Sequence, residues 1–261
     1  MGTAKVQGAL WGARARAWAD FQEHAFGPMY EAAFDAAGLA AGMELLDIGC
    51  GSGLALSTAR ARGAIVSGLD AAPELVEIAR SRSPGSDIRI GELEELPFGD
   101  SAFDLVTGFN SFQYAADRVH ALEEARRVMR SDGKLVALVW GEPDKCEMAA
   151  YLAALGALMP PPPPGAPGPW ALSPPGALED LAAQARLRTT AAGSVMTSMH
   201  FEDEESAVRG LLAAGPAVRA IANSGEEAVA SAVSQAIRPY RKADGSYDLE
   251  NEFRFIVTER A

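Results

Sequence analysis

In Leu45-Leu46-Asp47-Ile48-Gly49-Cys50-Gly51-Ser52-Gly53 a short apolar run carries an acid near its end, and glycines then fall at alternate positions. An apolar pattern with helical spacing follows from Leu54 to Arg62, so the segment reads as strand, tight loop and helix. Glycine lets the backbone take positive φ and admits a ligand where a Cβ would collide. The helix that opens near Ser52 offers unpaired N–H groups to the same place. A loop of this kind cradles a nucleotide.

Glycine spacing narrows the choice of nucleotide. A dinucleotide fingerprint needs G-x-G-x-x-G/A, but counting from Gly49 puts Leu54 in the last slot and counting from Gly51 puts Leu56 there. Both registers fail. The run Asp47-x-Gly49-x-Gly51-x-Gly53 instead resembles motif I of the class I S-adenosylmethionine-dependent methyltransferases. The resemblance implies a loop that faces the methionine and ribose parts of the cofactor, with Asp47, Gly49, Cys50, Gly51 and Gly53 around the methionine side.

Outward from the loop, the chain alternates strands and helices in the rhythm of a parallel sheet. Ala64 to Leu69 is an apolar run closed by Asp70, and Ala71-Ala72-Pro73 then opens a helix. Asp70 stands about 20 residues beyond the glycines, and a right-handed crossover brings it beside them. A carboxylate there can accept both hydroxyls of a ribose, and it can equally cap the following helix. Ala71 accompanies it in the cofactor wall.

Ile88 and Ile90 alternate in a short third strand that runs into Gly91-Glu92-Leu93-Glu94-Glu95-Leu96-Pro97-Phe98. This resembles the family's Gly-Asp-x-x-x-Leu-Pro-Phe segment, with Glu92 in place of the aspartate. The resemblance implies that Glu92 and the backbone of Leu93 read the adenine edge. Phe103 to Phe109 is the fourth strand, and Asn110-Ser111-Phe112-Gln113-Tyr114 follows where an open α/β sheet holds its ligands. Phe109 and Asn110 are expected to border the methyl group, and Gln113 and Tyr114 to orient an acceptor. Asn110 is not followed by Pro-Pro-Tyr or Pro-Pro-Phe, so the signature of base-amino-methylating enzymes is absent.

Arg118 to Arg130 reads as helix, Ser131-Asp132-Gly133 as a turn and Leu135 to Trp140 as strand five. Before the first strand, residues 1–43 read as two helices, one with Trp11, Ala15, Trp18 and Gln22 at helical spacing and one from Pro28 to Gly38. They are either a core cover or a lid, with Trp18 and Tyr30 as the lid residues nearest cofactor and acceptor. After strand five come a proline-dense stretch from Pro160 to Pro175, read as a stiff surface segment, a helix over 178–187, strand six over 188–201 and a last strand over 253–258. The helical patterns between residues 202 and 252 are expected to cap the site.

The expected fold is α/β: a Rossmann-like, seven-stranded, mostly parallel sheet with helices on both faces, the last strand antiparallel, and helical lid elements. Its organisation is a lid over 1–43, a cofactor-binding core over 44–141, and residues 142–261 completing the same domain with a cap at about 202–252.

Composition limits the partners. Of 261 residues 48% are apolar, enough for a real core, and 23 basic against 35 acidic side chains give a formal charge of −12. Binding nucleic acid needs a basic face, which these scattered cations do not form. Cys50 and Cys146 form no disulfide framework, no secretory h-region opens the chain, and the apolar run from Met148 to Met159 falls short of the about 20 residues of a bilayer span. A cytoplasmic protein, monomer or homodimer, without membrane insertion, is the expectation.

None of the three histidines has metal-ligand spacing. His200, beside Phe201 at the end of strand six, is the candidate general base. Cys50 reads as a small loop residue, since a sulfonium methyl needs an aligned acceptor more than a protein nucleophile. The resemblance looks like the ubiquinone/menaquinone-biosynthesis-type branch. It implies transfer of a methyl from S-adenosyl-L-methionine, leaving S-adenosyl-L-homocysteine, to an O, N or C atom of a small molecule. A non-catalytic binder of the same cofactor and a nicotinamide-dependent oxidoreductase are the alternatives.

Overall fold

The computed structural model describes residues 2–161 and 168–261. Its strands are β1 (Glu44–Ile48), β2 (Ile65–Asp70), β3 (Asp87–Ile90), β4 (Phe103–Phe109), β5 (Met129–Trp140), β6 (Leu187–Phe201) and β7 (Tyr247–Arg260). They form one sheet in the order β3-β2-β1-β4-β5-β7-β6. β1 to β5 pair in parallel, while β7 runs antiparallel to both β5 and β6. This is the expected seven-stranded, Rossmann-like architecture. Strand order reverses between β1 and β4, so the loops after Ile48 and Phe109 open a crevice there.

Near-continuous apolar runs make the central strands, because both faces are covered. In β1 Leu45 packs into one core and its neighbour Leu46 into the other, as the two-residue period of a strand requires. On the first face lie α3 (Gly27–Ala37) and α4 (Leu54–Ala61); on the second lie α6 (Arg118–Val128) and α8 (Ala177–Gln184). α5 (Pro73–Arg82) joins the first core through Val76 and Ala79, and its Leu75 and Ile78 build a smaller cluster with the N-terminal helices.

Those N-terminal helices are α1 (Ala4–Gly12) and α2 (Ala15–Phe21). The single helix expected across Trp11 to Gln22 is broken at Arg14, with φ −135° and ψ 34°. The break lets α1 bend over the carboxyl edge of the sheet. Gly8 makes that approach possible, since a Cβ on it would lie 2.3 Å from the Ala71 carbonyl oxygen.

The turn expected at residues 131–133 is instead an irregularity inside β5, where the register to β4 jumps from Phe103↔Met129 to Leu105↔Lys134. After β5 come α7 (Met148–Ala157) and, between β6 and β7, α9 (Glu204–Leu211), α10 (Gly215–Ser224) and α11 (Glu226–Ile237). α10 carries the usual boundary signals, Pro216 in its first turn and Gly225 behind it. Of the proline-dense stretch, residues 162–167 lie outside the described residues. Its second half packs rather than standing free: Leu172 and Ser173 are buried, and Arg254 donates to the Pro174 carbonyl at 2.7 Å.

Candidate functional site

The glycine loop is held open by hydrogen bonds to the neighbouring strand end. Gly49 and Cys50 donate to the Leu69 carbonyl at 2.7 and 3.0 Å. Gly49 has φ +78°, and a Cβ there would lie 2.4 Å from the Ser111 Cβ, so the loops after β1 and β4 touch only because it has none. Gly51, at φ +54°, has open space where its Cβ would stand. That space belongs to a cavity whose floor is the carboxyl ends of β1, β2 and β4.

Two carboxylates flank the loop. Asp47 is 2% exposed and accepts from the Thr107 hydroxyl at 2.7 Å. Burial pushes its pKa up to about 7, the Thr107 bond opposing and the Asp70 charge adding to it. Asp70 accepts from the Gly51 and Ala72 N–H groups, both at 2.8 Å. Burial raises its pKa as well, against those two bonds. Each Asp70 oxygen keeps a lone pair for a hydroxyl donor, so loop tether and ribose acceptor are compatible. Glu92 accepts at Oε2 from the Ala4 N–H at 2.8 Å, while its Oε1 is buried with no partner among the described residues. An exocyclic amino group is the kind of donor that atom lacks. With the cradle beside Gly51, these features fit an adenosyl cofactor with a cationic amino acid end.

The opposite wall is aromatic. Trp18, Phe26, Tyr30, Phe109 and Tyr114 all line the cavity. Tyr30 meets Phe109 edge-on at 4.8 Å between centroids, and Trp11 meets Trp18 at 5.0 Å. Burial raises the Tyr30 hydroxyl well above its ordinary value and the Tyr114 hydroxyl to about 12, so both stay protonated donors.

Glu23 ties the wall to the loop. It is 3% exposed, pairs with Arg82, and accepts weakly at 3.4 Å from the N–H of Leu54 at the start of α4. Arg82 also donates to the Ser52 carbonyl at 3.1 Å. Sequence reading missed Glu23, Gln22, Trp11 and Trp140 as cavity residues. Only the helical spacing of Trp11 and Gln22 with Trp18 hinted at a shared face.

Asp47, Gly49, Cys50, Gly51, Asp70, Ala71, Glu92, Leu93, Phe109 and Asn110 are brought together on the cavity wall, as are Trp18, Tyr30 and Tyr114. Gly53 is not among the lining residues: at φ +83° it precedes α4, and a Cβ there would lie 2.8 Å from the Ala79 Cβ, so it serves helix packing. Gln113 turns to the Asn110 side chain at 3.2 Å and does not line the cavity either. His200 is placed elsewhere, exposed on β6, its Nδ1 2.7 Å from Asp248 across the β6–β7 pair. A strand end read from sequence does not say which edge of the sheet it reaches. Asn110 takes φ 52°, a conformation asparagine tolerates better than most residues. Burial raises the Cys50 thiol well above its ordinary value, which suits a packing role. No cluster of three metal-ligating side chains is present among the described residues.

Residues 46–137 match the family model described as "Methyltransferase domain". The chain is 36% identical over 104 residues to 27-O-demethylrifamycin SV methyltransferase of Amycolatopsis mediterranei, covering 37% of this chain and 38% of that protein. It is 34% identical over 115 residues to a ubiquinone/menaquinone biosynthesis C-methyltransferase of Citrifermentans bemidjiense, covering 41% of this chain and 49% of that one. The chain thus spans less than half the length of these curated relatives. Among solved structures, the geranyl diphosphate C-methyltransferase of Streptomyces coelicolor, in complex with S-adenosyl-L-homocysteine, superposes with a TM-score of 0.53. Its identity is 16%, over 90% of this chain and 79% of that one. At that identity the likeness speaks for the fold.

Proposed function

Because residues 46–137 form a methyltransferase domain, we propose that this protein moves a methyl group from S-adenosyl-L-methionine to an oxygen, nitrogen or carbon of a small molecule, in a cytoplasmic setting. One observation carries the reading: the Asp47 and Asp70 carboxylates bracket an open glycine cradle in the same cavity as an aromatic wall. When bound, the cofactor supplies a methyl group already activated by its sulfonium. Asp47 attracts the cationic amino acid end, Asp70 accepts the ribose hydroxyls, and Glu92 Oε1 with the Leu93 backbone takes the adenine edge. Phe109 and Asn110 stand beside the methyl.

The chain's own contribution is alignment and exclusion of water. Residues 1–43 act as the lid, and Glu23 with Arg82 latches it to the loop. Holding the acceptor in line about 3 Å from the methyl is worth roughly 7 to 11 kcal/mol. Among the described residues no histidine, lysine or arginine lines the cavity, so an acceptor proton leaves to water or to a carboxylate. His200 takes no part in this scheme.

Thermal unfolding with S-adenosyl-L-homocysteine, NAD and NADP at matched concentrations tests the reading. A ligand at 100 times its dissociation constant stabilises by about 2.7 kcal/mol, which raises the melting temperature by several degrees in a chain of this size. A rise with S-adenosyl-L-homocysteine alone is expected. A rise with NAD or NADP alone would replace the methyltransferase by an oxidoreductase.

A further inference from the structure

Beyond the cofactor groups, the cavity has a second end with its own chemistry. The charged lining residues, Glu23, Asp47, Asp70 and Glu92, are all acidic. Asp47 and Asp70 flank the loop, Glu92 borders the adenine edge, and Glu23 is neutralised by Arg82. The remaining wall carries no charge. It is built on a chain of rings in which Trp11 meets Trp18 at 5.0 Å, Trp18 meets Phe26 at 5.7 Å, Phe26 meets Phe253 at 5.7 Å and Phe253 meets Trp140 at 4.4 Å. All of these except Phe253 line the cavity.

Several polar side chains stand in this wall, Gln7, Gln22, Tyr30 and Tyr114 among them, and Gln22 holds a buried atom without a partner among the described residues. That atom is its side-chain Oε1, and the residue is 3% exposed. Leaving a buried amide oxygen unpaired costs about 1 to 3 kcal/mol, so such an atom at a ligand cavity marks a contact the ligand completes. Tyr151, by contrast, already donates its hydroxyl to the Leu211 carbonyl at 2.8 Å. Ser111 Oγ is also without a partner, but it sits against Gly49 at the cofactor end.

We propose that Gln22 is the acceptor-reading residue: its side-chain amide takes the hydroxyl of a flat, uncharged aromatic acceptor that stacks among Trp11, Trp18, Phe26 and Trp140. An amide can receive a hydroxyl proton at its oxygen and donate from its nitrogen, so a hydroxyl satisfies both ends. An anionic acceptor meets carboxylates and no cation, and is rejected by repulsion and desolvation. Flat rings bury large area against such a wall and gain from edge and offset contacts. This inference rests on the methyltransferase reading, because the cofactor must occupy the acidic end.

The test is isothermal titration of the full chain. S-adenosyl-L-homocysteine comes first; its failure to bind would remove the methyltransferase reading itself. With the cofactor product saturating, 1-naphthol, 1-naphthoate, 1-naphthylmethylammonium and 1-methoxynaphthalene are titrated in turn. 1-Naphthol is expected to bind at least tenfold more tightly than the carboxylate or the ammonium. In Gln22→Leu and Gln22→Met, 1-naphthol should weaken at least fivefold, while 1-methoxynaphthalene and S-adenosyl-L-homocysteine stay within twofold. Preference for the carboxylate or the ammonium would overturn the assignment of an uncharged acceptor. Equal weakening of 1-naphthol and 1-methoxynaphthalene, or weakening of S-adenosyl-L-homocysteine instead, would remove Gln22 from acceptor recognition.

Discussion

Asp47 shows how a single side chain trades stability for binding. Its pKa is about 7 in the fold against about 4 in an unfolded chain. The native state therefore holds a proton that the unfolded state loses between those values. Its contribution to stability is complete below about pH 4 and disappears as pH rises through about 7, a loss on the order of 4 kcal/mol. Asp47→Asn keeps a partner for Thr107 without the charge. Melting curves at pH 5 and pH 8 should show the variant gaining on the native protein as pH rises, and its affinity for S-adenosyl-L-homocysteine should fall at pH 8. A constant gap between the two proteins across that range would show that Asp47 does not titrate there. Asp70→Ala removes the tether to Gly51 and Ala72 together with the carboxylate proposed to accept the ribose. Calorimetric affinity for S-adenosyl-L-homocysteine should drop at least tenfold with the circular dichroism of the sheet unchanged; unchanged affinity would take Asp70 off the ribose.

At the scale of elements, the proposed lid role of the helices before β1 predicts that they set how long a ligand stays. α1 rests its first turn on Glu92, α2 carries Trp18, Gln22 follows directly after α2, and the next turn carries Glu23. Trp18→Ala should raise the dissociation rate of S-adenosyl-L-homocysteine in stopped flow, in proportion well beyond its effect on the melting temperature. A large fall in stability with a normal rate would make Trp18 a core residue only. Glu23→Gln leaves Arg82 without its carboxylate. Because Glu23 is buried and its pair is only partly so, a loss of about 1 to 3 kcal/mol is expected in chemical denaturation, with faster ligand release. Release at the native rate would show that the pair fastens the fold and not the lid.

For the whole molecule, the sheet and the N-terminal helices have different partners. β1, β4, β5 and β7 are paired on both edges, and β1 and β4 are buried on both faces, whereas α1 rests mainly on α5 and α10. Hydrogen exchange should then open residues 4–21 at lower free energy than β4 and β5. S-adenosyl-L-homocysteine should slow exchange in α1 and α2 far more than in β5. Uniform protection of the chain would mean that lid and sheet open as one unit. At this scale no described helix is long and apolar enough to cross a membrane.

Local order settled the loop, the strand–helix rhythm and the acids at strand ends, so the residues around Asp47, Gly49, Asp70 and Glu92 were legible in the chain. Those signals are short-range: a glycine that must take positive φ, an apolar run that must be buried, an acid that closes a strand. Gly53 misled because packing against Ala79 and cradling a ligand both call for a missing Cβ. His200 misled because only the β6–β7 pairing fixes the sheet edge it occupies. Gln22, Glu23 and Trp140 were silent in the chain, since a side chain becomes part of a cavity through the bend at Arg14 and through contacts between elements far apart in sequence. The glycine-loop end of the cavity follows from backbone geometry that neighbouring residues encode, while its aromatic end arises from helices of three separate segments meeting over the sheet.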